Sequence, residues 1–189
     1  MTEPVLVDEI AVQNELGEGI LWDARRQAAW WTDIQGCRLY RYAPLPGGTL
    51  ESWETPERLG CFAPVADKEI LVAAFASGFA FFNPESGDVV RILDIEADNP
   101  RTRLNDGRTD RQGRFWAGSM VEGAVNDNTP VNAMGKLYCL DHRQQLTTHL
   151  EGLHISNGLC WSPDSQWLYH TDTPSGRIDR YPFDAEFGS

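Results

Sequence analysis

Residues Glu18–Tyr42 read EGILWDARRQAAWWTDIQGCRLYRY, and 139 positions later Asn157–Tyr181 read NGLCWSPDSQWLYHTDTPSGRIDRY. The two segments align without a gap. Eight of 25 positions are identical: Gly19/Gly158, Trp22/Trp161, Gln27/Gln166, Thr32/Thr171, Asp33/Asp172, Arg38/Arg177, Arg41/Arg180 and Tyr42/Tyr181. The apolar positions match as well. A looser copy begins at Asp106-Gly107 and reaches its aromatic at Trp116, and a degenerate one runs from about Phe62 to Ile92. Starts near residues 18, 62, 106 and 157 give a period of roughly 45 residues. At that spacing, four short strands make one blade of a β-propeller.

The rest of the chain agrees. Short alternating apolar segments occupy Ala28–Ile34, Cys37–Tyr42, Glu69–Phe75, Gly78–Phe82 and Val89–Leu93. Others occupy Arg114–Ser119, Lys136–Leu140, Gln145–Leu150, Trp167–Thr171 and Arg177–Phe183. Each has strand length and ends in a turn signal. Asn83–Asp88 has the composition of a hairpin loop. No stretch keeps a helical period for ten residues, so the class is all-β. Propellers usually close with four to eight blades. Here the fourth copy reaches Ser189 after about three strands, and Val5–Val12 reads as an extra strand with no last blade to complete. The expectation is one β-propeller domain over residues 1–189, about four blades in an incomplete ring, truncated at its C-terminus.

Composition narrows the partners. Lys and Arg number 16 against 28 Asp and Glu, a net charge of −12. Such a chain repels phosphate backbones and anionic membrane surfaces, so neither nucleic acid nor membrane is expected as a partner. No apolar run approaches the ~18 residues of a membrane span. The first residues, MTEP, carry no basic or apolar leader. Cys37, Cys61, Cys139 and Cys160 lie far apart and make no Cys-x-x-Cys pair. Reduced thiols in a cytoplasmic protein, without a disulfide or a cysteine metal site, are the expectation.

Within ELGEGILWD, residues 15–23, Glu18 stands between two glycines just before an apolar run. Its partner in the repeat is Asn157, also followed by glycine. Innermost strands line a propeller's channel, so equivalent positions of different blades converge on the axis. The third copy offers Asn105 and Asp106 at the corresponding place. A carboxylate and amide oxygens converging on one point suit a hard divalent cation such as Ca²⁺ or Mg²⁺. The four histidines share no ligand spacing, and His154 reads as a packing or surface residue. Trp22, Trp30, Trp116 and Trp161 recur at repeat positions and read as blade packing. There is no phosphate loop and no Gly-x-Ser-x-Gly elbow.

Several motifs carry a specific resemblance: ELGEG (15–19), WTDI (31–34), RLNDG (103–107), DRQGRFWAGSM (110–120), ISNGL (155–159) and WSPD (161–164). In this order, over the whole chain, they resemble the regucalcin (senescence marker protein)/gluconolactonase family of six-bladed propellers. The resemblance implies hydrolysis of sugar-acid lactones with one divalent metal ion, its identity left open among Ca, Zn, Mn, Mg and Fe. It implies Glu18 and Asn157 as metal ligands and Arg103 and Asn105 as contacts to substrate oxygens. A family glutamate after Gly-Ser-Met also touches substrate. Glu122 is the nearest here, although ungapped alignment sets Gly123 at that place. The family's third metal ligand, an aspartate that also moves the proton, is expected beyond Ser189, so no catalytic residue is assigned within the chain. Asp172 matches Asp33 and reads as a structural blade aspartate.

These residue types suit that chemistry. A metal polarises a lactone carbonyl, a nearby carboxylate takes a proton from water, and an arginine can pair with substrate oxygens. The expected activity is therefore a gluconolactonase-like hydrolase, impaired in this chain alone by the lacking aspartate. The alternative is a calcium-binding propeller without turnover, because fold does not fix function. Hydrolysis of a non-sugar ester or phosphotriester by the same site is disfavoured, because polar Arg103 and Asn105 favour a hydroxylated substrate.

Overall fold

The computed structural model describes residues 5–44, 47–123 and 134–189. Among these residues, fifteen strands form four antiparallel sheets, each a meander in chain order. The first sheet comprises β1 (Gly17–Asp23), β2 (Ala28–Asp33), β3 (Arg38–Ala43) and β4 (Thr49–Glu54). The second comprises β5 (Leu59–Pro64), β6 (Leu71–Phe75), β7 (Gly78–Phe82) and β8 (Val89–Asp94). The third comprises β9 (Thr102–Thr109), β10 (Phe115–Val121), β11 (Gly135–Leu140) and β12 (Leu146–Leu153). The fourth has β13 (Ser156–Trp161), β14 (Trp167–Asp172) and β15 (Asp179–Pro182). This is the four-blade propeller arrangement the repeat called for. Among the described residues, no helix is long and apolar enough to cross a membrane.

A blade is apolar on both faces, so it must be buried between neighbours. The core accordingly lies between the sheets. Trp30 and Leu39 of the first blade meet Leu59, Phe62, Phe75 and Phe82 of the second. Phe79 and Ala74 of the second meet Leu104, Phe115 and Tyr138 of the third. Trp116, Leu137 and Cys139 of the third meet Leu159, Leu168 and Phe183 of the fourth. The DRQGRFW motif serves this stacking. Buried Asp110 accepts Arg114 Nε at 2.5 Å and Trp116 Nε1 at 3.1 Å. Arg114 Nη2 then reaches across to the Ala185 carbonyl at 2.8 Å.

Two expectations are corrected. Val5–Val12 forms no strand. It finds no ladder partner among the described residues, and Val5, Leu6 and Val7 are largely exposed. Trp22 is not a packing residue: it is 52% exposed. Its repeat partner Trp161 packs edge-on against Trp116 of the preceding blade, with ring centroids 5.7 Å apart. Trp22 lies on the outer face of the first blade, where no preceding blade is described. Trp30 and Trp116 are buried as expected.

Candidate functional site

All four innermost strands break register at the same height. The β1–β2 pairing slips between Glu18 and Leu21, and β13–β14 slips between Asn157 and Cys160. The β5–β6 pairing slips between Leu59 and Cys61. On β9 the slip falls between Leu104 and Gly107, opposite Gly118, so Asn105 and Asp106 are the bulged residues. A bulge leaves residues unpaired and re-aims their side chains. Gly19 and Gly158 supply the left-handed conformation the bulge needs, at φ 63° and 62°. Glu18 and Asn157 therefore sit inside first strands, beside the bulge. Glu18, Ile34, Gly60, Asn105, Asp106 and Asn157 line one small recess. A groove of about 800 Å³ opens beside it, lined by Glu18, Trp22, Cys61 and Asp106.

In the first and fourth blades the approach to the bulge is held by a repeat aspartate. Asp33 accepts the backbone N–H groups of Glu15, Leu16 and Gly36 at 3.0, 2.9 and 3.1 Å. Burial alone would raise its pKa, but these donors overturn that and hold it low. Asp172 does the same for Ile155 and His154, at 2.8 and 3.2 Å. Both aspartates are thus scaffolding, as expected for Asp172. The four cysteines carry free thiols.

Arg103, Asn105 and Asn157 form one hydrogen-bonded run. Arg103 Nη1 donates to Asn105 Oδ1 at 2.8 Å. Asn105 Nδ2 donates to Asn157 Oδ1 at 3.1 Å and to the Ser156 carbonyl at 3.0 Å. Asn157 Nδ2 donates to Thr173 Oγ1 at 2.8 Å, which turns its oxygen toward the recess. Arg103 and Asn105, two apart on β9, lie on one side, as their hydrogen bond shows. Both are buried. Asn105 works as a bridge between Arg103 and Asn157, with one lone pair of Oδ1 left over.

Glu122 belongs to the same cluster. Its backbone N–H donates to the Arg101 carbonyl at 2.7 Å, which sets it beside the start of β9. Its Oε1 stands 3.3 Å from Arg103 Nε, an ion pair without hydrogen-bond alignment. Arg58 grips the same carboxylate with both terminal nitrogens. Burial pushes the Glu122 carboxyl up, but Arg58 and then Arg103 outweigh it, so it stays below the ordinary range and ionised. Arg103 is held below its usual value, first by burial and then by neighbouring Arg58, with Glu122 and Glu18 opposing. No sequence signal marked Arg58, because its partner lies 64 residues away.

Glu18 behaves differently. Burial of its carboxyl and the charge of Asp106 raise its pKa, with Arg103 opposing. Asp106 is itself fixed: Oδ2 accepts the Gly158 N–H and Oδ1 the Gly107 N–H, at 2.8 and 2.9 Å. Two carboxylates and two amides thus line one recess, and the acids crowd each other. Among the described residues, no three His, Cys, Asp or Glu side chains gather as a metal cluster. A cation here would rest on amide as well as carboxylate oxygens. An all-oxygen set with surplus negative charge fits a hard divalent ion.

Comparisons with known proteins show the family. The profile described as SMP-30/Gluconolactonase/LRE-like region matches residues 16–189. The L-arabinolactonase of Azospirillum brasilense is 40% identical over 162 residues, 85% of this chain and 52% of that protein. The 6-deoxy-6-sulfogluconolactonase of Pseudomonas putida is 33% identical over 171 residues, 90% of this chain and 56% of that protein. A solved regucalcin from Agrobacterium tumefaciens, described as a calcium-binding protein, is similar with a TM-score of 0.82 and 27% identity. That match covers 91% of this chain and 55% of the other. The chain spans about half the length of the curated relatives it matches.

Proposed function

Because the chain belongs to the SMP-30/gluconolactonase/LRE-like family, we propose that the recess and its arginine cluster serve hydrolysis of a sugar-acid lactone with one divalent cation. The observation that carries the reading is the run from Glu122 through Arg103 and Asn105 to Asn157, ending in the recess that Glu18 also lines. A scaffold has no need of a buried arginine joined to amides that line a carboxylate recess. The names of two relatives support a lactone substrate.

Each residue then has a role. Glu18 and Asn157 would hold the cation, whose contribution when bound is to polarise the lactone carbonyl. Asp106 adds negative charge to the recess while staying tied to Gly107 and Gly158. Arg103 is charged and water-poor, so its remaining N–H groups orient hydroxyl or carbonyl oxygens of the sugar. Glu122, kept ionised by two guanidiniums, accepts hydrogen bonds from sugar hydroxyls rather than donating a proton. Asn105 holds Arg103 and Asn157 in register and turns its spare lone pair to substrate. Placement in the cytoplasm is part of the same proposal, from the reduced cysteines and acidic charge.

The test follows acid release from glucono- and arabinonolactone by the purified protein with added divalent metal, corrected for spontaneous hydrolysis. The reading expects metal-dependent turnover, slow in residues 1–189 alone because the third ligand is not among them, that Glu18→Ala abolishes. Turnover indifferent to both metal and Glu18→Ala would overturn it.

A further inference from the structure

Behind the two amides lies a buried polar pair that the proposed chemistry leaves unused. Ser156 Oγ and His170 Nε2 are 2.8 Å apart, with 2% and 1% of their surfaces exposed. Ser156 immediately precedes Asn157, and its carbonyl takes Asn105 Nδ2. The repeat marks both residues as departures. In the first blade, Gly17 and Trp31 stand at these places, with Gly17 opposite Asp33 as Ser156 is opposite Asp172. A third position fits the change. Gly118 faces the β9 bulge, and any Cβ there would overlap Ser156 Oγ. Three strands, β10, β13 and β14, thus make room for one hydroxyl–imidazole bond.

Such a pair is costly to bury unless each member satisfies the other. Burial keeps His170 neutral, against the opposing charges of Asp172, Asp179 and Asp106. A neutral ring nitrogen can accept the serine proton. His170 also sits on β14 opposite the two bulged residues of β13, between the Asn157–Thr171 and Cys160–Tyr169 pairs. Anchoring Ser156 there fixes the carbonyl that holds Asn105 and the backbone that carries Asn157.

Resting on the site reading above, we propose that His170, acting through Ser156, is a positioning residue that sets the orientation of the Asn105 and Asn157 amides. Side-chain amide NMR signals of these two asparagines read this orientation directly, with no cation present. His170→Phe and Ser156→Ala shift both amide pairs, and His170→Gln retains them. In calcium chloride titrations the first two variants weaken binding by about 10-fold, the scale of outer-shell ligand partners, and His170→Gln restores it. Unmoved amide signals in His170→Phe and Ser156→Ala would overturn the proposal, even if their unfolding temperatures fell. Should His170→Phe fail to fold, Ser156→Ala, which loses a single atom, decides. If the unaltered protein takes up no calcium, the cation reading fails, and the amide signals still decide the positioning role.

Discussion

Arg103 is 4% exposed. Replacing it with alanine leaves the buried Asn105 Oδ1 without its donor and removes one of the two guanidiniums facing Glu122. A buried group left unsatisfied costs about 1–3 kcal/mol. Arg103→Ala is therefore expected to lower stability by about 1–3 kcal/mol in urea unfolding as well as to impair lactone turnover. Arg103→Lys should restore stability more than turnover, because a lysine cannot span Asn105, Glu122 and substrate with fixed planar donors. Equal rescue of both would contradict the substrate role. Glu18, Asn157, Arg103 and Asn105 were legible in the sequence because repeat and motif marked them. Glu122 was legible only as the nearest carboxylate. Arg58 was not legible at all, since ion pairing between distant strands leaves no local pattern.

Elements explain why these residues meet. The inner strands approach so closely that β5 carries glycine at its bulge. A Cβ on Gly60 would lie 2.5 Å from the Asn105 carbonyl oxygen and 2.7 Å from that of Leu104. Both are backbone atoms of β9 and cannot rotate away. Gly60→Ala should push β9 outward at the bulge. The expected outcome is a loss of about 1–3 kcal/mol, the usual range for overpacking, with weaker calcium binding by titration calorimetry. A variant as tight and as stable as the original would show that β9 tolerates displacement. Strand existence was readable from alternation, and most observed strands fall on the expected segments. The bulges were not readable, because register is decided by the partner strand. The same limit explains β9. Its copy seemed to start at Asp106, whereas the strand begins at Thr102 and carries Arg103 and Asn105 within it. Val5–Val12 read as an extra strand but pairs with no strand among the described residues.

At the scale of the molecule, stability resides between blades. Phe75 is fully buried in the junction of the first two blades, and Phe75→Ala should cost about 3–5 kcal/mol in denaturant unfolding. A loss near zero would mean that the blades do not stack as described. Acid sensitivity follows from two histidines. Burial lowers the pKa of both His149 and His170 below the ordinary value, so the folded protein keeps them neutral. The unfolded chain protonates them near pH about 6.5. Their contribution is complete above that value and is lost as pH falls through it toward the folded values. The urea midpoint should therefore be lower at pH 5.5 than at pH 7.5, and His149→Gln should reduce the difference. The repeat made the blade architecture legible, whereas the identity of each junction needed the fold, because Trp22 and Trp161 share a sequence position and differ in burial. On the proposed function, the bulged inner strands bring Glu18 and Asn157 to one cation. Crystals soaked in manganese chloride and measured by anomalous diffraction would locate that ion. A peak is expected within about 2.0–2.6 Å of both a Glu18 carboxylate oxygen and Asn157 Oδ1. A strong peak elsewhere, with none between those two side chains, would contradict it.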